Sequence, residues 1–135
     1  MKKILILSLA CLLMVSSIIL AEEKNSDYCW EKFFTDTVEK VYIIMKDGTI
    51  IRHSSQSERM IDISIGRLEE ELKKVKDRNY SIKEIKIVIH NHQWKNYFSR
   101  SDYKQYWMLK SFKFDGQFLL YCYRTKKAYN IEKNK

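Results

Sequence analysis

The sequence predicts an α/β fold, a single small domain in which helices pack on a mixed β-sheet. Three observations carry that expectation. The chain has 135 residues, a length suited to one domain. Two runs rich in β-branched and aromatic residues, Glu39–Met45 and Thr49–His53, flank the hairpin dipeptide Asp47-Gly48. The hydrophobic period then changes: Leu68, Leu72 and Val75 share one helical face, and a second extended apolar run follows at Glu84–Ile89. Strand, helix and strand in this order imply a right-handed crossover and a two- or three-layer arrangement.

The elements are expected as follows. Tyr28–Thr37 reads as a short amphipathic helix anchored by Trp30, Phe33 and Phe34. The hairpin comes next. Ile61, Ile63 and Ile65 alternate with Asp62 and Ser64, which suggests another extended piece. Arg67–Arg78 is a helix, with Glu69–Lys73 and Glu70–Lys74 as i,i+4 pairs on its outer side. In Glu84–Ile89 the residues Ile85, Ile87, Val88 and Ile89 are expected to be buried. Ser99–Phe112 is a second helix, Phe114-Asp115-Gly116 turns the chain, and Phe118–Arg124 with Ala128–Ile131 closes the sheet. There is no proline and no repeat.

Residues 1–21 have the layout of a secretory signal peptide. Lys2 and Lys3 precede an apolar run, Ile4 to Leu20, and Ala21 precedes Glu22 and Glu23. Cleavage after Ala21 would leave residues 22–135 as the mature domain, exported to a periplasmic or extracellular space. An uncleaved segment would tie it to a membrane, since a run of about 17 residues is at the lower edge for spanning. A lipoprotein reading at Cys11 is poorly supported, because Ser8 stands where leucine is usual. Removing Lys2 and Lys3 lowers the formal charge from +8 to +6. Lys and Arg are interspersed with Glu and Asp, which describes a solvated surface with at most weak affinity for an anionic envelope polymer.

Cys29 and Cys122 remain after cleavage. Two readings stand side by side, a disulfide favoured by an oxidising compartment and a pair of free thiols. No CxxC is present, so a cysteine zinc ribbon or a thioredoxin-like site is unsupported.

The candidate chemistry lies at His90-Asn91-His92. Residues i and i+2 of a strand project to one face, so the two imidazoles point at one place where a buried strand ends. Ser99-Arg100-Ser101-Asp102 then opens the next helix. Two nitrogens and a carboxylate are a ligand set for a catalytic zinc with an open position. The carboxyl ends of strands, beside helix N-termini, are where open α/β sheets bind ligands.

His-Asn-His, six residues, then Ser-x-x-Asp resembles the signature of the JAB/MPN (JAMM) metalloprotease family, closest to its RadC-like bacterial branch. The order of elements is similar over roughly residues 37–131. The resemblance implies a JAB/MPN-like, cytidine-deaminase-like layout. It implies zinc held by His90, His92 and Asp102, with Ser99 helping to hold the oxyanion and Glu39, at the head of the first strand, as general base. Glu58 is the fallback base. Two positions depart from the pattern: Gln93 replaces the usual proline, and the spacer Gln93–Phe98 has six residues where seven are usual. The activity implied is zinc-dependent hydrolysis of a peptide or isopeptide bond in a peptide or protein substrate, envelope-associated if the chain is exported. A catalytically inactive JAB-like envelope binding module is the alternative, with the aromatic loop as its contact surface.

Each residue also has an ordinary role. His90 and His92 can be strand-end histidines bonded to backbone. Ser99 and Asp102 form a helix-capping pattern, which competes with metal binding for Asp102. Glu39 can be a solvent-facing strand residue. His53, among Ser54, Ser55 and Ser57, is expected on the surface. Tyr103, Tyr106 and Trp107 are expected in the core, and Trp94 and Tyr97 beside a substrate groove. Aromatics with Lys95 and Arg100 would also suit single-stranded nucleic acid, but export argues against that partner.

Overall fold

Asp47 and Gly48 reverse the chain as the dipeptide predicts. Gly48 takes φ +90°, a backbone angle that needs glycine. Asp47 Oδ1 accepts from the Thr49 amide at 3.0 Å, and Oδ2 accepts from the Tyr80 hydroxyl at 2.6 Å and Arg78 at 2.9 Å. The flanking strands are β1 (Val41–Met45) and β2 (Ile50–His53), paired antiparallel with Val41 opposite His53.

The computed structural model describes residues 28–53, 65–75 and 78–134. Its remaining regular elements are α1 (Ile65–Lys73), β3 (Ile85–His92), α2 (Arg100–Ser111), β4 (Gln117–Cys122) and β5 (Lys127–Asn130). The strands form one five-stranded mixed sheet in the order β2-β1-β3-β4-β5. β3 and β4 run parallel, with α2 between them in sequence, and the other neighbouring pairs are antiparallel. The described residues from Phe34 onward therefore form a small mixed α/β domain, the fold class its sequence predicts, with two helices where three are expected.

One core joins sheet and helices. Val41, Ile43 and Val88 meet Leu68 and Leu72 of α1, and Phe118 and Leu120 meet Tyr106 and Leu109 of α2 in the same cluster. Burial of each large side chain stabilises by about 1.5–3 kcal/mol. Residues of opposite alternation face the other way: there Phe34 stacks on Tyr121 at 5.1 Å and meets Tyr42 edge-on at 5.5 Å.

Gly116 enters β4 against the start of β3, where the β1 register shifts between Ile44 and Met45. A Cβ there would lie 2.4 Å from the Lys86 carbonyl oxygen and 2.6 Å from that of Ile85. Both are backbone atoms, so neither can swing aside. Gly116→Ala is expected to lower stability by about 1–3 kcal/mol, measured by urea denaturation; an unchanged midpoint would contradict this contact.

Tyr106 shows a second constraint. Its hydroxyl donates to Glu132, and Lys110 Nζ lies 3.8 Å from the same carboxylate. Burial, then the bond to Glu132, pushes the Tyr106 pKa up to about 12. A raised folded-state pKa gives stability that is intact below the unfolded value, near 10, and lost as pH rises toward 12. Tyr106→Phe is expected to unfold less steeply over that alkaline window while losing about 1 kcal/mol near neutrality, both read from thermal melts.

Several expectations are corrected. Tyr28–Thr37 is not a helix: only Trp30–Lys32 forms a single 3-10 turn, without a side-chain cap at Cys29. Thr35 and Thr37 resist helix through their branched side chains, and Asp36 bonds the Val38 amide instead. Tyr28, Trp30 and Phe33 cluster on this turn. The chain divides into two units, Met1–Phe33 and Phe34–Lys135, and the elements from β1 onward all belong to the second. The first helix begins at Ile65, not Arg67, and ends at Lys73. His53 is buried rather than on the surface, because its place opposite Val41 turns it toward α1, where Glu71 Oε2 lies 2.5 Å from Nδ1. Trp107 is exposed at 58%. It lies one residue past Tyr106 on α2, about 100° around the helix, and the two rings meet in a T-shaped contact with centroids 5.2 Å apart.

Cys29 is an exposed free thiol and Cys122 a buried one. Cys122 is fully buried at the end of β4, and its thiol donates to the Trp94 carbonyl at 3.8 Å. The signal-peptide segment, Glu58 and the Ile61–Ile63 stretch lie outside the described residues. Among the described residues, no helix is long and apolar enough to cross a membrane.

Candidate metal centre

The site is built where β3 ends against the start of α2. β3 continues past Ile89 through His92, so both histidines are strand residues. His90 pairs with Val41 on one side and Leu120 on the other, and its ring lies 5.6 Å from Phe118 and 6.3 Å from Phe98. The apolar wall keeps water from the imidazole. The two histidine rings sit 5.0 Å apart, nearly perpendicular.

Asp102 comes from the first turn of α2. Ser99 is the N-cap of that helix, and its hydroxyl accepts from the Asp102 amide at 3.2 Å. In return Asp102 Oδ2 accepts from the Ser99 amide at 2.6 Å and from its hydroxyl at 2.8 Å. The two carboxylate oxygens are thus engaged differently. Oδ2 serves the cap, while Oδ1 faces His90 Nε2 at 3.1 Å. His92 Nε2 lies 3.7 Å from Oδ2.

One ligand atom from each of His90, His92 and Asp102 lies within 4.8 Å of the others. Nδ1 and Nε2 of His90 and Nδ1 of His92 are buried with no hydrogen-bond partner; the 3.1 Å approach of His90 to Asp102 is not aligned as one. Buried polar atoms almost always have partners, and leaving one without costs about 1–3 kcal/mol. Converging nitrogen and oxygen donors with unspent lone pairs fit a cation. Among the described residues this is the one group that could hold a metal ion.

The electrostatics agree. Burial, then the neighbouring charge of His90, lowers the pKa of His92, which keeps it neutral and able to donate a lone pair. Burial alone would raise Asp102, but the close approach of His90 and the bonds from Ser99 outweigh it and bring its pKa to about 2. The carboxylate therefore stays ionised at any ordinary pH.

Glu39 stands two residues before Val41, whose strand partner is His90. The residue is exposed, yet partial burial of its carboxyl raises its pKa. The charges of His90 and Asp102 act on it in opposite directions. Glu39 is thus within electrostatic reach of the His90–His92–Asp102 group without belonging to it. Ser99 is at the site too, but its hydroxyl proton is already given to Asp102. Trp94 and Tyr97, 65% and 58% exposed, stand in the loop between β3 and α2, with Lys95 over the Tyr97 ring at 5.7 Å.

Sequence reasoning missed one residue of this region. Asn91, between the histidines, is fully buried, accepts from the Lys40 amide at 2.6 Å and donates to the Val38 carbonyl at 3.0 Å. The signal was available: an asparagine inside an apolar strand is unfavourable there unless its amide is bonded.

Comparisons with protein-family models, with curated proteins and with solved structures find no match to this chain.

Proposed function

We propose that the protein is a zinc-dependent hydrolase of peptide or isopeptide bonds, with His90, His92 and Asp102 as metal ligands and Glu39 as general base. The convergence of buried His90 and half-buried His92, three of whose ring nitrogens are buried without a hydrogen bond, on a carboxylate held by its own helix cap carries this reading. Two imidazole nitrogens and one carboxylate oxygen suit zinc and leave a coordination position free. Zinc bound there would lower the pKa of a water molecule toward neutrality and polarise the substrate carbonyl. The resemblance of His90-Asn91-His92 and Ser99-x-x-Asp102 to the JAB/MPN signature supports the same ligand set and a JAB-like layout.

The chain's own groups then divide the work. His90 and His92 hold the cation from the apolar strand end. Asp102 contributes Oδ1 while its other oxygen keeps the carboxylate oriented. Glu39, with a pKa above the usual carboxylate value, accepts a proton and returns it to the leaving amine. Ser99 acts first as the residue that orients Asp102. Its part in holding an oxyanion requires the hydroxyl to leave that bond. Trp94 and Tyr97 supply apolar surface for the substrate chain. The signal-like residues 1–21 place this activity outside the cytoplasm in our reading, in the periplasm or beyond, on an envelope peptide or protein.

The exposed pair Trp94 and Tyr97 also favours a second reading, a binding module that uses this loop and performs no chemistry. One assay separates the two. The purified chain is incubated with a mixed peptide library that includes ε-linked lysine isopeptides, with zinc or with a chelator, and products are read by mass spectrometry. Zinc-dependent cleavage is expected; binding of the library without any cleavage would support the module.

A further inference from the structure

β1 begins at Val41, but the chain before it does not drift from the sheet. In a continued antiparallel ladder, the Val38 carbonyl and the Lys40 amide would turn toward β3 and bond its backbone. Here the Asn91 side chain takes both places. Its Oδ1 accepts from the Lys40 amide at 2.6 Å, and its Nδ2 donates to the Val38 carbonyl at 3.0 Å. A carboxamide carries the same donor and acceptor as a peptide, so it substitutes for a strand neighbour. Those two groups belong to the peptide units on either side of Glu39. Fixing both planes fixes the direction of the Glu39 Cα–Cβ bond.

Strand alternation sends Asn91 to the face opposite His90 and His92. Asn91 therefore contributes nothing to the ligand set. It is fully buried, and both of its polar groups are used on this one segment. Asp36 braces the segment from outside, accepting from the Val38 amide at 3.1 Å and pairing with Lys40 Nζ at 2.8 Å. We propose that Asn91 is a positioning residue: its carboxamide clamps the peptide units flanking Glu39 and holds that carboxylate toward the His90–His92–Asp102 group. One tripeptide thus places two ligands on one face of β3 and, through the other, the base. The inference rests on the zinc-site reading above and assigns the element that orients its base.

The test uses the full chain loaded with cobalt(II), whose visible absorption reports the metal's surroundings. The wild type, Asn91→Ala, Glu39→Gln and the double variant are titrated with pH. Glu39→Gln is expected to move the midpoint of the spectral change. Asn91→Ala is expected to move it in the same direction, and the double variant no further than Glu39→Gln. Cobalt affinity of Asn91→Ala should fall by less than the roughly 10–100-fold typical of losing a ligand-supporting hydrogen bond. Exchange of the Lys40 amide, followed by NMR, should rise about tenfold. If Asn91→Ala keeps the wild-type midpoint while Glu39→Gln moves it, or if it loses the metal, the positioning role is overturned. A wild-type protein that takes up no cobalt overturns the zinc-site reading itself, and this inference with it. Should Asn91→Ala not fold, Asn91→Thr serves instead: it suits a strand and has one hydroxyl too short to span both peptide groups.

Discussion

His90→Phe is expected to reverse the stability ranking of variant and wild type according to whether zinc is present. In chelator, wild-type His90 keeps two ring nitrogens buried without partners between Phe98 and Phe118. A phenyl ring fills nearly the same space and has no polar atom to bury. The variant loses the 3.1 Å approach to Asp102, whose carboxylate Ser99 goes on holding, so it should be as stable as the wild type or more stable by at most about 1–2 kcal/mol, the lower part of the cost of such unsatisfied atoms. With zinc the order inverts. A ligand that binds only the folded state at about 1,000 times its Kd adds about 4 kcal/mol, and only the intact site receives it. Melting curves with chelator and with zinc check both halves. A histidine kept for packing alone would give a variant weaker in chelator and no crossover, which would falsify the ligand assignment of His90.

Glu39→Gln is expected to leave zinc binding intact and to lower kcat by about 10²–10⁴-fold, the usual contribution of a positioned base. Glutamine keeps the size and removes the ability to accept a proton. Glu39 is outside the three-residue ligand group, so stoichiometry should not change. The pH profile gives the second half of the test. Burial raises the Glu39 pKa above its ordinary value, so activity should fall on acidification through that raised value as the base becomes protonated. In Glu39→Gln this acidic limb should vanish from the residual rate. Retention of the limb would assign the base to another group.

The sheet was legible because its signals were local. Asp47-Gly48 identified the first hairpin, and the change of period at Leu68 and Leu72 identified α1. The second helix was placed within a residue at each end because Ser99 and Asp102 form the cap the pattern names. The His90–His92–Asp102 cluster was legible for a related reason: two histidines at strand spacing and an acid at a helix start are brought together by two simple elements.

What was not legible depends on long-range register. His53 looked like a surface residue among serines, yet pairing with Val41 buries it against Glu71. Trp107 looked apolar enough for the core, but Tyr106 and Leu109 already fill that side of α2. The Tyr28–Thr37 pattern has helical spacing over too few good helix formers. Asn91 inside an apolar strand signals a bonded amide, but its partners, Val38 and Lys40, lie some 51 positions away or more in sequence and only the register reveals them. The division of the Asp102 carboxylate between cap and cluster likewise needed coordinates, because the spacing fits both uses.

Zinc content of the purified protein tests the central claim most directly. After dialysis against metal-free buffer and addition of zinc, elemental analysis should find about one zinc per chain, as a single three-ligand site requires, and none in His92→Ala or Asp102→Ala. Wild-type protein that retains no zinc, or variants that retain as much as the wild type, would contradict the site built from His90, His92 and Asp102.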